Sequence, residues 1–102
     1  MDEKKTTPEK EAALKILRDQ FKGTDSDTQV RRLLEALRQF PITTFEASRF
    51  LDVYHPAGRI KDLRDDGNKI MTLRKPATTE AGVTHSVGQY VLIEEAKPER
   101  AA

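Results

Sequence analysis

Apolar side chains recur at helical spacing through the first half of the chain. They place Leu14, Leu17 and Phe21 on one face of a predicted first helix. Proline suits the first turn of a helix and glycine suits its end, so Pro8 and Gly23 mark the expected limits. The apolar face of this helix has to be covered, either by its own domain or by a second copy in a homodimer.

The second predicted helix has the strongest apolar periodicity in the chain. Ser26 or Asp27 can cap its start, and Gln29 follows Ser26 at the spacing of a capping box. Pro41 closes the helix, because proline cannot continue the hydrogen-bond ladder and disfavours helical geometry in the residue before it. The stripe follows the i, i+3, i+4, i+7 rule and consists of Val30, Leu33, Leu34 and Leu37.

Two shorter helices follow and are joined by a tight connection. Thr43 and Glu46 can form a capping box for the first of the two. The second begins at Pro56 and stops at Gly67. Because so few of its side chains are apolar, most of this fourth helix is expected to face solvent or a partner. Its two strong core residues are Ile60 and Leu63.

The periodicity changes after the fourth helix. Residues 68–74 and 89–93 are rich in the β-branched and apolar side chains that are typical of strands. The polar segment between them, residues 75–86, contains proline and glycine and is predicted to be a long, mobile hairpin tip. Two helices with a short connection, followed by a hairpin, are the elements of a winged helix-turn-helix.

The predicted fold is therefore mainly α with a β-hairpin, an α+β winged helix-turn-helix with an additional N-terminal helix. At 102 residues, the chain has room for one small domain. The predicted divisions are a disordered N-terminus at 1–7, the N-terminal helix and loop at 8–25, the winged domain at 26–94 and a charged tail at 95–102.

Composition argues against several classes of site. The chain has no cysteine, so it has neither a disulfide framework nor a thiolate metal site. Its two histidines lack acidic partners at metal-ligand spacing, and no metal site is predicted. No apolar run is long enough to span a membrane, and the first residues lack the apolar core of a secretion signal. We therefore expect a cytoplasmic protein without a membrane partner.

Positive charge is concentrated in one segment of the chain. The formal net charge is only +1, yet residues 56–75 carry six basic and three acidic side chains. The flanking segments are neutral or acidic. A local basic patch is the electrostatic footprint of a phosphate-binding surface, which indicates a nucleic-acid partner.

Several short motifs follow one another in residues 28–93. A "PIT" turn precedes a short Glu-Ala helix, and "RIKDLR" precedes a glycine and an "IMT" strand. This order resembles a small winged helix-turn-helix family that is common in phages, prophages and other bacterial mobile elements. The resemblance does not include the N-terminal helix. The matching positions are Pro41, Ile42, Thr43, Glu46, Ala47, Arg59, Ile60, Asp62, Leu63, Arg64, Gly67, Ile70 and Thr72.

The resemblance implies DNA binding, in the regulation of transcription or the replication of a mobile element. It implies no catalytic residue and no cofactor. The residues themselves agree, because no Gly-rich phosphate loop, carboxylate pair or nucleophile–base arrangement stands out, and we do not expect an enzyme. The expected partner is double-stranded DNA, with the fourth helix in its major groove.

The candidate DNA-binding residues come from the basic segment and from the start of the third helix. Arginine and lysine suit phosphates and guanine, and a threonine can contact a phosphate at a helix N-terminus. Arg59 can instead pair with Asp62 within its helix, and Arg74 with Lys75 can instead be a solvated pair. The candidates are Thr44, Arg59, Lys61, Arg64, Lys69, Arg74 and Lys75.

The sequence also leaves one alternative function open. Asp62 and Asp65 share the outward face of the fourth helix with Lys61, and carboxylates are repelled by phosphates. A winged helix can bind another protein through the same surfaces, so the alternative is a protein–protein interaction module without direct DNA binding. Arg31 and Arg32 carry no role in either hypothesis and are interpreted as ordinary surface charges.

Overall fold

The computed structural model describes residues 6–97, which form four helices and one three-stranded sheet. The helices are α1 (Pro8–Gln20), α2 (Ser26–Gln39), α3 (Thr44–Arg49) and α4 (Pro56–Asp65), and the strands are β1 (Ile42–Thr43), β2 (Lys69–Thr78) and β3 (Thr84–Glu94). This order confirms the predicted α+β architecture, a winged helix-turn-helix with an additional N-terminal helix.

Local signals explain most of the helix limits. The Thr7 side chain accepts a hydrogen bond from the Lys10 N–H at 3.2 Å, and proline occupies the first turn of α1. Thr43 and Glu46 form the predicted capping box at α3, with both hydrogen bonds at 3.0 Å. α4 begins with proline and is followed by Gly67, whose φ of 106° favours glycine.

The predicted cap of α2 was wrong. Asp25, rather than Ser26 or Asp27, is the cap, and its carboxylate accepts from the N–H and the hydroxyl of Thr28 at 3.1 and 2.8 Å. These two hydrogen bonds lower the pKa of Asp25. Gln29 completes no capping box, because its buried amide is hydrogen-bonded to neighbouring loops instead.

The hairpin is longer, and its tip shorter, than predicted. β2 and β3 pair antiparallel as far as Thr78 and Thr84, so residues 79–83 form the tip. Most polar residues next to the tip are exposed on both sides of the sheet, so they lack the alternation that marks a half-buried strand. Pro76 is tolerated within β2 because the strand order β1-β3-β2 leaves β2 at an edge.

The sheet also contains a short strand that the sequence pattern did not predict. β1 has two residues, and its Ile42 pairs with Tyr90 of β3. Both side chains are buried in the core. Two residues give no periodic signal, and their partner lies far along the chain, so local reasoning could not find this strand. Because Thr43 ends β1 and caps α3, the strand fixes the start of α3 beside the hairpin.

The N-terminal helix packs on its own domain. Leu14 is 0% exposed and Leu17 is 5% exposed, and Phe21 packs against the same core. Of the two alternatives for this apolar face, the structure shows the first: the face is buried against the core of its own domain. The predicted homodimer contact has little surface left, because a second copy could reach Leu14 and Leu17 only if α1 left the core.

The residues before α1 are also tied to the domain. Thr6 Oγ1 donates to the Glu46 carboxylate at 2.6 Å, and Lys10 Nζ lies 2.9 Å from the same carboxylate. Residues 1–7 were predicted to be disordered, and within this segment Thr6 has a distant hydrogen-bond acceptor in Glu46. The remainder of that segment, residues 1–5, lies outside the described residues.

The chain after β3 makes two further attachments. Glu95 accepts two hydrogen bonds from the Arg38 guanidinium, each at 2.8 Å, and they lower the pKa of Glu95. The Ala96 N–H donates to the buried Asn68 side chain at 2.9 Å. The predicted tail is therefore attached where it leaves the sheet, and its residues 98–102 lie outside the described part of the chain.

Candidate nucleic-acid interface

The connection between α3 and α4 is anchored in the core. Val53 is fully buried, and its N–H donates to the Ala47 carbonyl at 3.0 Å. Asp52 has a φ of 58°, a left-handed conformation that reverses the chain between the two helices. Pro56 then fixes the first turn of α4. The backbone is therefore constrained on both sides of the turn.

α4 buries one side and leaves the opposite side open. Ile60 and Leu63 are each 1% exposed and attach the helix to the core. The Lys61 side chain points away from the core and is 74% exposed. The Asp65 carboxylate accepts from Lys61 Nζ at 2.8 Å, and this hydrogen bond, with the charge of Asp65, raises the pKa of Lys61.

Arg59 also pairs with an acidic residue of α4. Its Nε donates to Asp62 at 2.9 Å, and its Nη1 donates to the Ser26 hydroxyl at 3.4 Å. The structure thus contains the intramolecular pair that the i, i+3 spacing allowed. Since Lys61 is paired as well, the positive and negative charges on the outward face of α4 balance, and this face is nearly neutral.

Arg64 has different partners. Its Nε and Nη2 donate to the Ile70 carbonyl at 3.2 and 2.7 Å, and Nη2 also donates to Thr72 Oγ1 at 2.9 Å. Within residues 6–97, no carboxylate forms an ion pair with Arg64. Neutral oxygens therefore fix the guanidinium between α4 and β2 and leave its positive charge uncompensated.

Arg74 is held in the same way. Its Nη2 donates to the Ser86 carbonyl of β3 at 2.8 Å, and no ion pair with a carboxylate involves it in the described part of the chain. Alternate residues of a strand face the same side, so Arg74 shares a side of the hairpin with Thr72. Because Thr72 contacts Arg64, this is the side that faces α4.

Thr44 lies close to these residues. A Cβ on Gly88, which pairs with Arg74 across the hairpin, would lie 3.6 Å from Thr72 Cγ2 and 3.9 Å from Thr44 Cγ2. The start of α3 and the hairpin thus meet at Gly88, and the hydrogen bond from Arg64 to Thr72 connects the end of α4 with the same strand. We call this region the helix–wing surface, and it consists of Thr44, Arg64, Thr72, Arg74 and Gly88.

Lys69 and Lys75 lie outside the helix–wing surface. Lys69 Nζ is 3.8 Å from a Glu94 carboxylate oxygen at the base of the hairpin. Lys75 follows Arg74, so it lies on the opposite side of β2, where it lines a cavity with Glu46. The structure therefore brings three of the seven predicted residues together and separates the others.

Arg32 is a residue whose part the sequence interpretation missed. It is 2% exposed, and its guanidinium donates to backbone carbonyls in two loops. The expectation of an ordinary surface charge was wrong, because Arg32 follows Gln29 by three residues and precedes Ala36 by four. All three are buried, so the buried face of α2 is wider than its leucine stripe. The helical spacing of Gln29, Arg32 and Ala36 was the sequence signal that could have placed Arg32 on the buried face.

The helix–wing surface supplies donors suited to an anion. Guanidinium N–H groups and threonine hydroxyls are groups that contact phosphate oxygens in DNA complexes. Across residues 6–97, no three His, Asp or Glu side chains are grouped so that they could hold a metal ion. In the same described range, no helix is both long and apolar enough to cross a membrane.

The comparisons with known proteins agree with this geometry. A family model described as a winged helix-turn-helix domain matches residues 28–95, about two thirds of the chain. The match runs from the first turn of α2 to the residue after β3, so it includes the whole helix–wing surface and leaves out α1. No curated protein and no solved structure gives a significant match.

Proposed function

Because the chain belongs to the winged helix-turn-helix family, we propose that it binds double-stranded DNA in a sequence-specific manner. In this proposal α4 lies in the major groove, and the hairpin contacts the neighbouring phosphates as a wing. We further propose a role in regulating transcription or replication in a phage or mobile element. That setting is supported by the resemblance of the "PIT" and "RIKDLR" motifs alone.

The contrast between the two kinds of arginine carries the DNA-binding proposal. Arg59 is paired with a carboxylate, whereas Arg64 and Arg74 are held by neutral oxygens and keep their charge available. A guanidinium that is already fixed loses little conformational freedom when it contacts a phosphate. We therefore place the main phosphate contacts on the helix–wing surface, and Lys61 in a lesser role.

A second candidate function has its own support. Met71, Leu73 and Ile93 expose 48%, 43% and 51% of their surfaces on the sheet. The outward face of α4 is nearly neutral, because its two cations are paired with carboxylates. Exposed apolar residues at a sheet are typical of protein-binding surfaces. A protein–protein interaction module is therefore the alternative that the first experiment has to test.

Salt-dependent binding to random-sequence duplex DNA distinguishes the two functions. We expect protein at micromolar concentration to bind the duplex at low salt. The affinity should fall as the salt concentration rises, because binding releases counterions from the DNA. Arg64→Gln and Arg74→Gln should each reduce the slope of log affinity against log salt by roughly 0.9, the contribution of one phosphate contact.

The matched control is Arg18→Gln, which removes an equal charge from α1 beside Asp19. It should leave the slope unchanged, since α1 is not part of the helix–wing surface. Absence of binding at low salt would refute the DNA proposal and favour the protein-binding module. If all three variants had the wild-type slope, the phosphate contacts would lie outside the helix–wing surface.

A further inference from the structure

Arg32 is a buried arginine of α2 that joins two loops. Its Nη1 donates to the carbonyls of Phe21 and Gly23, the second at 3.3 Å, in the loop between α1 and α2. Its Nη2 donates at 2.9 Å to the carbonyl of Asp52, in the connection between α3 and α4. One guanidinium therefore ties the N-terminal part of the chain to the turn of the helix-turn-helix.

The environment of Arg32 is unfavourable for a charge. Burial lowers the pKa of Arg32, and the charges of Asp52 and Asp25 offset this only in part. Its hydrogen-bond acceptors are neutral carbonyls, and its Nε has no hydrogen-bond partner in the described part of the chain. A buried cation held in this way is expensive compared with an apolar side chain of similar length. The geometry that it imposes is therefore a better explanation of Arg32 than stability is.

Gln29, one helical turn earlier on α2, makes the same connection. Its Nε2 donates to the Thr24 carbonyl at 2.6 Å, and its Oε1 accepts from the Tyr54 N–H at 3.0 Å. Gln29 is 3% exposed. Two side chains on one face of α2 thus hold the carbonyl of Asp52 and the N–H of Tyr54, on either side of the turn.

This turn aims α4. His55, the residue before α4, makes no capping hydrogen bond with its side chain, so the start of the helix depends on the backbone that precedes it. α4 has 10 residues and is therefore about 15 Å long. A tilt of about 10° at its start would move its far end by roughly 2.5 Å, more than a hydrogen bond tolerates.

We propose that Arg32 and Gln29 are positioning residues for DNA binding. Their hydrogen bonds hold the connection between α3 and α4 against the loop between α1 and α2 and thereby set the direction of α4. The inference rests on the proposed function. It makes α1 and its loop a part of the DNA-binding unit, although neither needs to touch DNA. Arg64 lies near the far end of α4, so its alignment with the hairpin depends on the hydrogen bonds of Arg32 and Gln29.

The test compares Arg32→Met with Arg31→Met. Both remove one positive charge and leave an unbranched apolar side chain, but Arg31 is exposed on α2 and its guanidinium lies 5.9 Å from the centre of the Phe21 ring. Thermal unfolding first defines a temperature at which both variants are folded. The affinity and its salt slope for random-sequence duplex DNA are then measured at that temperature.

We expect folded Arg32→Met to bind at least about tenfold more weakly, with a salt slope reduced by roughly one phosphate contact or more. Arg31→Met should retain the wild-type slope. A purely structural role for Arg32 would lower the melting temperature but leave the slope of the folded protein unchanged. Arg32→Lys should not rescue binding, since one ammonium cannot span the three carbonyls.

Gln29→Met gives a measurement that does not depend on DNA and also serves if Arg32→Met fails to fold. It removes the acceptor of the Tyr54 N–H, so hydrogen exchange at that amide should accelerate while the core amides stay protected. It should also weaken DNA binding with a shallower salt slope. If folded Gln29→Met and Arg32→Lys bind DNA as the wild type does, the inference is overturned and the proposed function stands. If the wild type itself does not bind, the proposed function fails first.

Discussion

Arginine side chains in this chain differ in what holds them, and that difference determines what each can do. Arg59 donates to a carboxylate, so its charge is largely cancelled at the surface. Arg64 donates to a carbonyl at the edge of the hairpin and keeps its charge exposed to a partner. Arg32 uses carbonyls as well, but inside the protein, where it can only position backbone. Residue type alone could not separate these three cases.

Asp65 offsets the positive charge of Lys61 on the outward face of α4. Asp65→Asn removes a carboxylate that pairs with Lys61, so we expect the pKa of Lys61 to fall toward its ordinary value. The same change removes repulsion toward phosphates, and binding to random duplex DNA at low salt should tighten roughly two- to fivefold. A titration of the Lys61 side chain by NMR and a binding isotherm measure the two effects.

Asp19→Asn is the control for this change, because it removes an exposed carboxylate from α1. It should alter neither the pKa of Lys61 nor the affinity at moderate salt, where distant charges are screened. If Asp65→Asn weakened binding, Asp65 would instead be an acceptor for a base edge, such as the cytosine amine.

At the scale of elements, the sequence predicts those limits that local chemistry determines. Thr43, Glu46, Pro56 and Gly67 each act within one turn of chain, and the structure has each of them at the expected helix end. The strand β1, the length of the hairpin and the role of Arg32 depend on distant partners. A period or a cap in the sequence cannot report such contacts, so the helix–wing surface was only partly predictable.

Gly58 inside α4 and Gly67 just after its end give opposite predictions. Gly58 lies inside the helix, and a Cβ there would meet only the His55 Cβ, at an ordinary 3.5 Å. Gly58→Ala should therefore raise the free energy of unfolding by about 0.5–1 kcal/mol. Gly67 has a φ of 106° and a Cβ there would lie 3.2 Å from the Ala96 Cβ, so Gly67→Ala should lower it by about 1 kcal/mol or more. Urea unfolding measures both.

The DNA affinity of Gly58→Ala also tests how closely the first turn of α4 approaches DNA. If the first turn of α4 lies against the DNA backbone, the added methyl group should weaken binding although the fold is more stable. An unchanged affinity would place the contact farther along the helix, toward Arg64. A loss of stability in Gly58→Ala would contradict the assignment of Gly58 to a regular helical turn.

At the scale of the whole molecule, α1 completes the core of the domain. The family match begins in α2, yet the core includes Leu14 and Leu17 of α1. Glu46 of α3 also binds Thr6, just before α1, and Lys10 in its first turn. The N-terminal helix therefore stabilises the same unit that carries the helix–wing surface. Its apolar stripe alone could not show this, because a stripe indicates burial without naming what buries it.

Leu14 and Ile16 distinguish a core helix from a dimer helix in the full chain. Leu14 is fully buried, so Leu14→Ala should lower the free energy of unfolding by about 2–5 kcal/mol, through lost apolar contact and the cavity it leaves. Ile16 is 56% exposed, so Ile16→Ala should change it by no more than about 0.5 kcal/mol. Neither variant should change the sedimentation coefficient under conditions where it is folded. A shift from dimer to monomer in folded Leu14→Ala would show instead that α1 pairs with its copy, because a side chain buried within one chain cannot hold two chains together.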